Sequence, residues 1–144
     1  MKLFTIGFTK TSAEHFFARL QEAKVERVVD VRLNNVSQLA GFAKRDDLRY
    51  FLDVIGGIKY THLPELAPTK EILDGYKKGK LVWAEYEKRF NELIANRRIE
   101  ERVAKDIIDQ GCLLCSEDTP DRCHRRLVAE YLQHQWGGVE IFHL

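Results

Sequence analysis

Apolar and polar positions follow two rhythms along the chain, short continuous apolar runs and longer stretches at helical spacing. Leu3 to Ile6 is an apolar run ended by Gly7, followed by Thr11 with Glu14 three residues later, the pattern of a capping box opening a helix. Ala13, Phe16, Phe17, Leu20 and Ala23 then recur at helical spacing. The run Val28, Val29, Val31 reads as a second strand, with Asp30 and Arg32 at or near its end. Leu48, Phe51, Leu52 and Ile55 form one helical face stopped by Gly56 and Gly57, and Ile58 to Leu63 reads as a third strand.

Residues Leu33 to Ala43 have no steady period, and Pro64 and Pro68 bracket Glu65 and Leu66 in a loop. Trp83, Tyr86, Phe90, Leu93 and Ile94 predict a long amphipathic helix. Ile99, Val103, Ile107 and Ile108 predict another, ended by Gly111. Cys112 to Cys115 is a buried-strand pattern. Thr119 and Pro120 then offer an N-cap and a first helical residue for a helix whose apolar face is Leu127, Val128, Tyr131 and Leu132. Gly137 and Gly138 end it, and Val139 to Leu144 reads as a last strand. Parallel neighbours need crossover connections, so this alternation predicts an α/β fold: a three-layer, Rossmann-like sandwich with a mainly parallel sheet of about five strands and helices on both faces.

Composition narrows the picture. The chain has 144 residues, 44% hydrophobic and 31% charged, which fits one domain over residues 1–144, with no repeats or linkers. Lys plus Arg number 23 and Asp plus Glu 22, so a net charge of +1 gives no overall attraction to nucleic acid or membrane, and any basic site must be local. The first residues hold too short an apolar run for a secretory segment or membrane span, so a cytoplasmic protein is expected. Three cysteines argue against a disulfide framework and leave free, metal-bound or reactive thiols.

In open parallel sheets ligands bind beyond the carboxyl ends of the strands. Four predicted strand exits carry polar or reactive groups: Gly7 to Thr11, Asp30 with Arg32, His62 with Glu65, and Cys115 to Arg126. The last is the densest. A helix starting at Pro120 places Cys123 and His124 in or just past its first turn, near free N–H groups that favour a thiolate or a bound anion, and Arg122, Arg125 and Arg126 add cations. Glu117, Asp118 and Asp121 offset them, and a helix cap with solvated charges explains the same residues. Cys115, Cys123 and His124 also match the ligand types of a zinc site with an open position. With Cys112 they would make a Cys3His set resembling a structural zinc site, but residues three apart on a strand face opposite ways, which argues against Cys112 as a ligand. A redox pair of Cys115 and Cys123 is a further alternative.

Asp30 and Arg32 pair or face a polar cleft, since an isolated buried charge is costly. His62 with Glu65 offers a general acid or base, or a hydrogen-bonded core histidine. Lys77, Lys78 and Lys80 beside Tyr76 form a small basic run suited to solvent or to a phosphate backbone. No Gly-rich phosphate loop and no nucleophile elbow occurs, so no nucleotide cofactor or serine-hydrolase chemistry is indicated.

Thr5-Ile6-Gly7, Asp30-Val31-Arg32, Tyr60 to Leu66, and Leu113 to Glu117 followed by Cys123 to Arg126 together resemble the domain of unknown function 488 family, nearly end to end. The resemblance implies an intracellular prokaryotic α/β protein whose activity is not established. Its pattern falls on Gly7, Asp30, Arg32, Ser37, His62, Glu65, Cys115, Glu117, Cys123, His124 and Arg125. Two departures stand out. Phe8 and Thr9 occupy positions where the family often has His and Ser, and Asn35 occupies one where it often has Pro.

The leading expectation is an enzyme for an anionic, phosphate-bearing substrate, such as a nucleotide or a nucleic-acid end. Gly7, Thr9, Arg32, Ser37, Glu117, Arg122 and Arg125 would bind it, Cys115 or Cys123 would be the reactive thiol, and His62, Glu65 or His124 would move protons. The alternatives are zinc binding through Cys115, Cys123 and His124, and a non-catalytic module for nucleic acid or a protein partner. A homodimer through an edge strand fits a chain of this size.

Overall fold

The computed structural model describes residues 1–36 and 41–144. Five strands form one sheet: β1 (Lys2–Gly7), β2 (Arg27–Asp30), β3 (Lys59–His62), β4 (Gly111–Cys115) and β5 (Glu140–His143). Their order is β3-β2-β4-β1-β5, and every pairing is parallel. This is the Rossmann-like α/β arrangement that the alternating pattern predicts. The central β4 is buried throughout, as the uninterrupted Cys112-Leu-Leu-Cys115 run requires.

Alternation along the strands builds two cores. Phe4, Ile6, Val28, Cys112 and Leu114 face α1 (Ala13–Glu22) and α2 (Arg45–Gly56) through Phe16, Phe17, Leu20, Leu48 and Leu52. Leu3, Val29, Leu113 and Cys115 face the other way, against α4 (Trp83–Arg97) and α7 (His124–Trp136) through Tyr86, Phe90, Ile94, Leu127, Val128 and Leu132. Cys112 and Cys115 therefore lie in different cores. Arg126 ties α7 to α4 by an ion pair with Glu87 at 3.0 Å.

Four local readings are corrected. The cap of α1 is Ser12, whose hydroxyl accepts from the His15 N–H, and not Thr11. A short helix, α3 (Lys70–Lys77), follows a Thr69 cap in a stretch where the pattern predicts no element. The single helix expected from Ile99 to Ile108 is two short ones, α5 (Ile99–Arg102) and α6 (Lys105–Ile108), parted by extended backbone at Val103 and Ala104. The last long helix starts at His124, with Cys123 as its N-cap, and not at Pro120. Pro120 instead sits in a turn closed by the Cys123 N–H donating to its carbonyl at 3.2 Å. Among the described residues no helix is long and apolar enough to cross a membrane.

Candidate functional site

The strand order decides which exits meet. β4 runs between β1 and β2, with Gly7 in register with Cys115 and Asp30 with Leu114, so three polar exits lie side by side. β3 lies beyond β2, with His62 in register with Asp30, so its exit is displaced from the others by one strand. A cleft of ≈ 660 Å³ opens over the three adjacent exits. Its lining includes Phe8, Thr9, Arg32, Glu117, Arg122 and the group Cys115, Cys123 and His124.

At the floor of the cleft the three reactive side chains converge. Their ligating atoms all lie within 4.8 Å of one another, and all three residues are buried. Cys115 Sγ is 3.5 Å from Nδ1 of His124, whose Nε2 lies 2.7 Å from the Val31 carbonyl. Because a carbonyl only accepts, Nε2 carries a hydrogen, and Nδ1 is the nitrogen nearer to the sulfur, which lies 3.9 Å from Nε2. The Phe90 ring packs against the imidazole with centroids 5.4 Å apart.

The two thiols differ. Cys115 is held well above the ordinary thiol value, first by its hydrogen bond with Cys123 and then by burial. Burial also opposes ionisation of Cys123. There the hydrogen bond with Cys115, the contact with His124 and the positive charge of Arg125 together outweigh it, and the thiol is held well below the ordinary value. Cys112, in the other core, is pushed far up by burial.

Arg32 forms the second wall. Its Nε and Nη2 donate to the two carboxylate oxygens of Asp30 at 2.9 and 2.8 Å, and its backbone N–H donates to the same group. Tyr60 donates to Asp30 at 2.5 Å and accepts from Asn35 at 3.2 Å. Asn35, one of the departures from the family pattern, thus closes the network beneath Arg32. Phe8, the other departure, lies under the guanidinium at 5.2 Å from its ring centroid. Nη1 of Arg32 is buried without a hydrogen-bond partner.

The remaining residues divide as follows. Gly7 lies below the cleft, where a Cβ would stand 1.6 Å from the Glu117 carbonyl, so the backbone of the 116–117 turn fits only against glycine. Thr9 lines the cleft, and its N–H and hydroxyl both donate to the Ser116 carbonyl. Glu117 and Arg122 are exposed on the rim. Arg125 is buried beneath, 1% exposed, donating to the Glu117 carbonyl at 2.6 Å and to Thr5 at 3.4 Å. It shapes the loop from below and does not line the cleft. His62 and Glu65 do not line it either: Nε2 of His62 donates to the Arg32 carbonyl at 2.8 Å, and the Glu65 carbonyl accepts from Arg97 at 2.9 Å. Ser37 lies outside the described residues.

Several members of the site carry no strong sequence signal. Lys10 and, from α3, Leu73, Tyr76 and Lys77 complete the cleft, and Val31 contributes only its backbone carbonyl. Backbone contributions are invisible in a side-chain pattern. Tyr60 was visible only as part of a family block, without its link to Asp30.

An all-parallel α/β sheet with a cysteine- and histidine-bearing cleft over its strand ends defines the class of protein. Within that class, the sequence matches the family described as Domain of unknown function DUF488 over residues 12–132, most of the chain, and the chain belongs to that family. The Thr5-Ile6-Gly7 block precedes the matched span. No curated protein and no solved structure matches the chain.

Proposed function

We propose that the chain is an enzyme that binds an anionic, phosphate-bearing substrate in this cleft and transfers or cleaves the bond to the anionic group at the Cys115, Cys123 and His124 centre. One observation carries this reading: three buried reactive side chains converge on the floor of a cleft whose wall and rim carry Lys10, Arg32, Lys77 and Arg122. Glu117 is the one acidic side chain in that lining. Positive charge placed beside a reacting group stabilises charge that develops on a transferring phosphoryl or acyl oxygen. Phe8 and Tyr76 add flat apolar surface beside the cations, which suits a nucleotide or a 5′-phosphorylated nucleic-acid end.

The test is a turnover screen with phosphorylated metabolites, nucleotides and 5′-phosphorylated oligonucleotides. Wild type is compared with Cys115→Ser, Cys123→Ser and Arg122→Ala, each checked for folding by circular dichroism. Loss of turnover in the two serine variants and a raised KM in Arg122→Ala are expected. Equal turnover in wild type and both folded serine variants overturns the proposal.

A further inference from the structure

We propose that Cys115, Cys123 and His124 form a mononuclear zinc centre with its fourth coordination position open to the cleft. This deepens the reading of the cleft as an active site and rests on that reading for the use of the open position. The geometry comes first. Zinc bonds of 2.3 Å to sulfur and 2.0–2.1 Å to nitrogen at a tetrahedral angle hold the two ligand atoms about 3.6 Å apart. Cys115 Sγ stands 3.5 Å from Nδ1 of His124 and 3.9 Å from Nε2, and one ligand atom from each of Cys115, Cys123 and His124 lies within 4.8 Å of the other two.

The surrounding bonds fit the same assignment. A zinc-bound histidine uses its second nitrogen to donate to a carbonyl or carboxylate, which fixes the ring. The Val31 carbonyl, 2.7 Å from Nε2, occupies that place and leaves Nδ1 for the metal. The ligands come from two rigid elements, the end of β4 and the start of α7, rather than from a mobile loop. Their chemistry, two sulfurs and one imidazole, is that of zinc rather than of magnesium or calcium, which take oxygen.

The site also differs from a structural zinc site. Cys112, the one remaining cysteine, lies in the opposite core and cannot supply a fourth ligand. All three ligands line the cleft, so three protein ligands face an accessible volume, the arrangement of catalytic rather than structural zinc. Charge is consistent as well. Two thiolates balance a divalent ion.

The experiment uses the full, untagged chain, incubated with zinc chloride and freed of excess ion by gel filtration, with metal counted by mass spectrometry. Stoichiometric zinc is expected in wild type and in Cys112→Ser, and its loss in Cys115→Ser and Cys123→Ser. The serine variants can fail to fold, so cobalt(II) is also bound to wild type alone. Tetrahedral d–d bands with thiolate-to-cobalt charge transfer are expected. Metal-free wild type, a Cys115–Cys123 disulfide in the zinc-treated protein, or a cobalt spectrum without thiolate bands overturns the centre. Turnover by metal-free protein that depends on both cysteines removes the zinc and keeps the active site. Stoichiometric zinc in a protein that turns over no phosphorylated compound does the reverse.

Discussion

Nε2 of His124, the first residue of α7, lies 2.7 Å from the carbonyl oxygen of Val31, the residue joining Asp30 to Arg32. This contact links the exit of β2 to the start of α7 across the end of β4, and it determines which nitrogen carries a hydrogen. The prediction is a fixed tautomer. Long-range proton–nitrogen correlation spectra of neutral protein should show His124 protonated at Nε2 and bare at Nδ1. A spectrum with the proton on Nδ1 contradicts the arrangement whether or not metal is bound.

The Asp30 and Arg32 pair is 0% and 3% exposed, and Asp30 also accepts from Tyr60. Asp30→Asn keeps the shape but leaves the guanidinium buried beside a neutral amide with one acceptor oxygen in place of two. Breaking one partner of a buried pair costs about 3–5 kcal/mol. Denaturant unfolding should register a loss of that size in Asp30→Asn, and the double variant Asp30→Asn/Arg32→Met should recover part of it. A loss under about 1 kcal/mol, the usual size for an exposed pair, would mean that solvent reaches the site.

Gly7 tests the loop above it. A methyl group there meets the Glu117 carbonyl at 1.6 Å and Nη1 of Arg125 at 3.2 Å, and a backbone atom cannot rotate away. Gly7→Ala should cost at least the 1–3 kcal/mol typical of overpacking, about the same whether read by heat or denaturant. It should also speed amide exchange at Thr9, whose N–H donates to Ser116 at 3.1 Å. Unchanged exchange at Thr9 would show that the turn adapts without leaving the strand.

These two sites show what a sequence can and cannot display. β4 was legible because four apolar residues in a row can only be buried on both faces, and the opposite placement of Cys112 and Cys115 follows from strand geometry. The start of α7 was not. Thr119 and Pro120 carry good local signals for a helix start, yet the chain spends them on a turn, and the helix begins where His124 reaches Val31 and Arg125 reaches Glu117. Long-range bonds outweighed a local cap. α3 was missed because only Ile72 in it is buried, too little to set a period. His62 looked like a member of the site because a list of strand exits carries no strand order, and the order places β3 on the far side of β2.

At the opposite edge, Nδ1 of His143 lies 2.6 Å from the Thr5 hydroxyl, which also accepts from Arg125. The hydroxyl has its hydrogen available for Nδ1 of a neutral His143. Burial first, and then the charge of Arg125, lower the His143 pKa from its ordinary 6.5. The unfolded chain takes up this proton at higher pH than the folded one. Stability is accordingly full above about pH 6.5 and is lost as pH falls through the lower folded value. Unfolding midpoints measured from pH 8 to pH 5 should fall more steeply for wild type than for His143→Asn. Parallel curves would remove His143 as a source of the slope.

Arg122 and Arg125 stand three residues apart in a cluster that reads as uniformly anion-binding, and the structure gives them opposite work. Arg122 is exposed on the cleft rim and makes no ion pair among the described residues, whereas Arg125 is 1% exposed and bonded to Thr5 and Glu117. Arg122→Ala should change stability by less than about 0.5 kcal/mol, as surface substitutions do, while weakening inorganic phosphate binding measured by calorimetry at low salt. Arg125→Ala should behave in the reverse order. It leaves the Glu117 carbonyl and the Thr5 hydroxyl without their donor, opens a cavity beneath the thiols, and should lower the unfolding midpoint before any effect on phosphate can be read. Equal losses of stability in the two variants would place Arg122 in the scaffold and remove it from the cations of the rim.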